Sequence, residues 1–109
     1  MSEQQYEKYL NDENYVYVYF QTEKRKVRSF AVKLLCRFHG TWYEVVRYDG
    51  GHGVAHKDVL LPDGKISRKV WYRYMNNNQA LDFALDEVNE QYEFCRWRFE
   101  QWLRLTNRQ

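Results

Sequence analysis

Two of the chain's three histidines fall in one stretch, Arg47-Tyr48-Asp49-Gly50-Gly51-His52-Gly53-Val54-Ala55-His56-Lys57-Asp58. Histidine takes or gives a proton near neutral pH, because its ordinary pKa lies there. Aspartate can orient an imidazole or a guanidinium, and Arg and Lys stabilise a charged phosphorane. These residue types together fit cleavage of RNA by its own 2′-hydroxyl. His52 and His56 are the acid–base candidates, and Asp49 is the group that orients them. Arg47, Lys57 and Arg68 are the candidate phosphate contacts, and Tyr48 and Tyr72 are positioned to stack on bases. That chemistry needs no metal. A second reading makes Asp49, His52, His56 and Asp58 ligands of zinc or manganese, but their spacing matches no specific metal motif and Lys57 adds positive charge. A third takes Gly50, Gly51 and Gly53 as the makings of a hairpin, with the polar residues as its solvated mouth.

The flanking elements must present this stretch. Tyr15-Val16-Tyr17-Val18-Tyr19-Phe20 alternates aromatic and β-branched residues and reads as a strand with its valines inward. Thr22 to Lys26 is a turn; with Arg28 it is the densest basic cluster, either a solvated tip or a phosphate-contacting loop. Residues 27–38 form a second strand, with Phe30, Val32, Leu34, Cys36 and Phe38 on one face. His39-Gly40-Thr41 turns the chain, with His39 exposed. A third strand, 42–48, has two mixed faces, so its buried side stays open. Strands over 54–61 and 66–74 follow, joined by the turn Pro62-Asp63-Gly64-Lys65. Short connections imply an antiparallel meander of about five strands over 14–74. Residues 1–13 read as a polar N-terminal arm, with Gln5, Tyr6, Tyr9 and Leu10 allowing one amphipathic turn.

Asn76-Asn77-Asn78 supplies an N-cap, and Leu81, Leu85, Val88, Tyr92, Cys95, Phe99 and Trp102 recur at helical spacing. The pattern predicts a helix over 78–105, with Asp82, Asp86 and Glu87 toward its positive end and Arg104 and Arg108 toward its negative end. Such a helix is longer than an eight-residue strand, so it is expected to overhang the sheet, bend around it or pack against a partner. Phe94, Trp97, Phe99 and Trp102 then offer an interface, for a homodimer or another partner. The fold class is α+β: an antiparallel meander packed on one long C-terminal helix.

At 109 residues, a single domain is expected. Aromatic content is 18%, with ten Tyr and four Trp, which is high, and hydrophobic content of 44% is enough for a modest core. The net charge of +2 makes no general polyanion binder, so any basic surface must come from local clustering. No apolar run is long enough to span a membrane, and residues 1–5 lack a secretory signal. Cys36 and Cys95 form no CxxC pair and read as buried thiols in a reducing cytoplasm.

The segment Val45-Val46-Arg47-Tyr48-Asp49-Gly50-Gly51-His52-Gly53, then His56-Lys57-Asp58, resembles the TumE-type toxins of prokaryotic toxin–antitoxin modules. Trp71-Tyr72-Arg73-Tyr74 leading to Gln79-Ala80-Leu81-Asp82-Phe83 extends the likeness, which covers roughly residues 27–88. The family usually has Asn where Gly50 stands, and its His-x-His becomes His56-Lys57-Asp58. A two-histidine role therefore requires His52 to substitute. The resemblance implies a growth-inhibiting protein, directed at RNA and neutralised by a DNA-binding antitoxin. The alternative is a non-enzymatic interaction module, dimeric through its aromatic helix.

Overall fold

The computed structural model describes residues 1–106, so Arg108 lies outside the described part. Six strands run in chain order across one antiparallel sheet: β1 (Ser2–Asn11), β2 (Asn14–Glu23), β3 (Lys26–Phe38), β4 (Thr41–Gly50), β5 (His56–Leu60) and β6 (Ile66–Trp71). One helix, α1 (Asn77–Thr106), follows and packs chiefly on β3 and β4. The α+β meander with a long C-terminal helix is therefore present, with six strands rather than about five.

The extra strand is the stretch expected to be an arm. Residues 2–11 are too polar to signal a strand by themselves, and nine of those ten are exposed. They are extended because β2 offers its backbone: Tyr6 lies opposite Val18 and Tyr9 opposite Tyr15. Ladder hydrogen bonds and cross-strand tyrosine contact, at 4.9 Å between the Tyr9 and Tyr15 rings, replace the missing hydrophobic pattern. No amphipathic turn forms there.

The core follows the alternation. Val16 and Val18 of β2 and Phe30, Val32, Leu34, Cys36 and Phe38 of β3 are all buried against α1. β4 explains its own ambiguity. Leu34 pairs with Val46 but Leu35 pairs with Glu44, so Val45 is an extra residue in a β-bulge. Both Val45 and Val46 are buried, and the inward face switches parity between them. Beyond the bulge Tyr48 points to the helix, while Arg47 and Asp49 point to the open face.

Asn76 caps α1 reciprocally: its Oδ1 accepts from Gln79 N at 2.9 Å, and Gln79 Oε1 accepts from Asn76 N at 3.0 Å. The first turn holds no acidic residue, so Asp82, Asp86 and Glu87 lie beyond the reach of the end charge. At 30 residues the helix is about 45 Å long. β3, with 13 residues, spans about 43 Å. The helix therefore has support along its length, and the expected overhang came from assuming shorter strands. Phe99 is not surface: it is 1% exposed and stacks on Phe38 at 5.8 Å. No described helix is long and apolar enough to cross a membrane.

Candidate functional site

The helix covers one face of the sheet and leaves the other open. Pairing register places two adjacent rows of side chains across that open face. One row runs Glu7, Tyr17, Lys33, Arg47, Asp58, Lys69. The next runs Gln5, Tyr19, Ala31, Asp49, His56, Trp71. The Tyr15–Trp42 pair, at 4.9 Å, stands beyond the first row. Cations lie over several of these rings: Lys33 over Tyr17 at 5.7 Å, Arg37 over Trp42 at 5.4 Å, and Lys69 over Trp71 at 5.1 Å.

Where the rows reach β4, β5 and β6, a charged cluster forms. His56 Nε2 lies 3.2 Å from Asp49 Oδ1 and 3.6 Å from Asp58 Oδ2. Its Nδ1 is 3.4 Å from the Val54 carbonyl, and its ring sits 5.3 Å from that of Trp71. Arg47 donates to Asp58 Oδ2 at 3.0 Å and lies 3.4 Å from Asp49. Lys69 Nζ is 3.6 Å from Asp58 Oδ1. Burial works against the Arg47 charge, but its bond to Asp58 and the nearby Glu44 and Asp49 outweigh that and raise its pKa. Asp58 is 1% exposed, so its charge depends on these partners. Glu44 Oε1, Arg47 Nε and Asp58 Oδ1 are buried without a hydrogen bond. Each has only a looser ion contact, at 3.4 to 3.6 Å.

The residues singled out in the sequence divide among separate places. Arg47, Asp49, His56 and Asp58 converge on the open face. Tyr48, Lys57, Arg68 and Tyr72 belong to the helix side. Tyr48 is buried; its hydroxyl donates to Glu87 Oε1 at 2.7 Å, and Lys57 Nζ donates to the same oxygen at 2.6 Å. These two residues join the sheet to α1 and are not available as substrate contacts. Burial, then the bond to Glu87, pushes the Tyr48 phenol well above its ordinary value. Burial also raises Tyr72, whose ring meets Phe83 edge-on at 5.2 Å. Arg68 is exposed on β6, opposite Val59.

His52 does not join His56. It is exposed at the β4–β5 loop and lines a depression with Glu23, Arg28, Ser29 and Asn77. Among the described residues no hydrogen bond or ion pair connects the two histidines. The loop bends toward α1, where Asn77 Nδ2 donates to the carbonyls of Arg28 and Gly51. Gly50 permits this close approach, since a Cβ there would lie 2.7 Å from Asn77 Oδ1 and from Phe30. Gly53, at φ 114°, supplies the left-handed step.

Asp49, His56 and Asp58 bring one ligand atom each within 4.8 Å of one another, a spacing a divalent ion can use. His52, the fourth ligand of the metal reading, is not among them. Arg47 and Lys69 already balance the two carboxylates, so a divalent ion must displace or overcome them.

On the helix, Phe94 and Trp97 are exposed, with rings 6.1 Å apart, whereas Trp102 packs partly against the core. The sequence reading missed three contributors. Lys69 and Trp71 alternate on β6, which was legible once His56 was fixed on a strand. Arg96 bonds to the Glu13 and Arg37 carbonyls and to Asn14 Oδ1, which no local pattern signals.

Neither the curated proteins nor the solved structures include a match to the chain. A family model does match, over residues 1–105, nearly the whole sequence. The chain therefore belongs to the family described as a domain of unknown function, DUF7718.

Proposed function

We propose that the open sheet face binds single-stranded RNA, and that the protein is a growth-inhibiting factor of the toxin type, neutralised by a DNA-binding antitoxin. One observation carries the binding half: an uncovered sheet interleaves Tyr17, Tyr19, Trp42 and Trp71 with Lys33, Arg37, Arg47 and Lys69. Bases stack on aromatic faces regardless of sequence, and cations beside them meet the phosphates. The toxin half is supported by the resemblance of residues 27–88 to TumE-type proteins.

The chemical half of this reading rests on His56 alone. Its Nε2 is held by Asp49 and Asp58, while its Nδ1 has only the 3.4 Å approach to the Val54 carbonyl and is the nitrogen that would deliver a proton to a leaving oxygen. Asp49 orients it, and a phosphorane would have to draw Arg47 and Lys69 away from Asp49 and Asp58. His52 lies at the β4–β5 loop and does not complete a pair, so any proton transfer here falls to His56.

The test has two arms. Fluorescence anisotropy with a labelled single-stranded RNA is expected to show salt-sensitive binding, weakened about tenfold or more in Tyr17→Ala/Tyr19→Ala. Unaltered affinity in that variant removes the sheet face from the reading. Induced expression of wild type and His56→Ala, with total RNA examined, then separates binding from cleavage. Growth arrest with new fragments only in wild type supports cleavage, and arrest without fragments in both leaves binding alone.

A second reading, a non-enzymatic interaction module, is favoured by the exposed Phe94–Trp97 pair. In that case Trp97→Ala abolishes partner capture while the tyrosine variant is silent.

A further inference from the structure

The least protected feature of the molecule is its β1 edge. β1 runs for 10 residues with one neighbour, β2, and nothing else described covers its outer side. Edge strands offer unpaired N–H and C=O groups to any other strand, and proteins commonly blunt them with short length, bulges, proline or lysine. β6, the opposite edge, is blunted: it has six residues, carries Arg68 and Lys69, and shifts register at Leu60. β1 is longer, at ten residues, and contains no proline; its one lysine, Lys8, and its register shift after Tyr9 lie toward its far end.

We propose that β1 pairs antiparallel with β1 of a second copy, about a two-fold axis normal to the sheet, joining two six-stranded sheets into one of twelve strands. The side-chain pattern selects one register. Such an axis keeps the faces continuous, so residues opposite each other must come from the same face. With Tyr6 opposite Tyr6, Gln5 meets Glu7, Gln4 meets Lys8, and Glu3 meets Tyr9. No like charges lie directly across. Sliding by one step in one direction sets Glu3 against Glu7, and in the other sets Glu7 against Glu7. Both alternatives place like charges in contact, which destabilises cross-strand pairs.

The apolar surface agrees with this register. Tyr6 is 44% exposed beside a groove lined by Val18, Leu85 and Val88, on the helix side of the sheet. In the paired sheet the two Tyr6 rings adjoin at the axis and cover each other. A second copy is the occupant because this register sets no like charges across and covers the exposed Tyr6 of both strands. This interface is distinct from the Phe94–Trp97 surface, and through Gln5 and Glu7 it carries the rows of the open face across the axis.

The test uses the full chain, with sedimentation equilibrium as readout. Wild type is expected to be a dimer in reversible equilibrium with monomer. Gln5→Glu places like charges opposite Glu7 twice in the dimer and is expected to raise the dissociation constant roughly tenfold, and Gln5→Lys to lower it by a similar factor. Oxidised Tyr6→Cys is expected to crosslink to a covalent dimer, since directly opposed strand residues lie within disulfide reach. Gln4→Cys is not, because its two copies are separated by about 13 Å along the strands. A wild type that stays monomeric to its solubility limit overturns the proposal. So does a dimer that ignores both Gln5 changes and whose Tyr6→Cys form does not crosslink.

Discussion

Asp58 has the largest part in the open-face cluster. It is a carboxylate at 1% exposure held by Arg47, Lys69 and His56. Removing one member of a buried ion network leaves the others uncompensated. Asp58→Ala is expected to lose about 3 kcal/mol in urea denaturation, the low end of such changes because Arg47 and Lys69 can reach water. Asp49→Ala, whose carboxylate is a third exposed, is expected to lose much less. Buried acids set a second expectation, at alkaline pH. Burial lifts the Cys36 thiol from its ordinary 9.0 to about 12, and raises Cys95, Tyr48 and Tyr72 as well. In that range the unfolded chain has released protons that the folded chain keeps, so stability falls as pH rises. Thermal melts should be insensitive to these groups below pH 9.0 and decline from there toward pH 12. Thiol reagents should label neither cysteine until the protein unfolds.

At the scale of elements, the helix and the alternating strands were legible because long apolar periodicity survives tertiary context. Two things were not. β1 has no hydrophobic signal, and its extension depends on the β2 backbone, which no local window contains. β4 carries a bulge, and a one-residue insertion mixes both faces of any strict alternation. The converging residues Arg47, Asp49, His56 and Asp58 were named from type and spacing alone. Their separation from His52, Tyr48 and Lys57 was hidden, since it depends on which parity faces the helix after Val45. The same logic divides the helix aromatics. Phe99→Ala is expected to cost about 3–5 kcal/mol through the cavity it leaves between Phe38 and Tyr43. Trp97→Ala, at a site 57% exposed, is expected to stay within about 0.5 kcal/mol. Denaturant midpoints of the two variants, compared side by side, distinguish core from surface.

For the whole molecule, the sheet's inner face depends on a single cover. α1 shields Val32, Leu34 and Val46 together, and among the described residues no second layer stands behind it. A chain ending at residue 76 is expected to bind a hydrophobic dye and aggregate, whereas the intact chain does neither. A soluble, cooperatively melting truncation would show that the sheet is self-sufficient.

The strand order has a consequence for biosynthesis. Because β1 to β6 pair strictly with their neighbours in sequence, each hairpin can close as soon as its second strand leaves the ribosome. The sheet thus assembles in the direction of translation, without waiting for distant partners. Its helix follows all six strands, so the nascent sheet carries a bare valine- and leucine-rich surface until α1 is made. Chaperone engagement should therefore begin as β3 emerges and end once α1 has docked on the sheet.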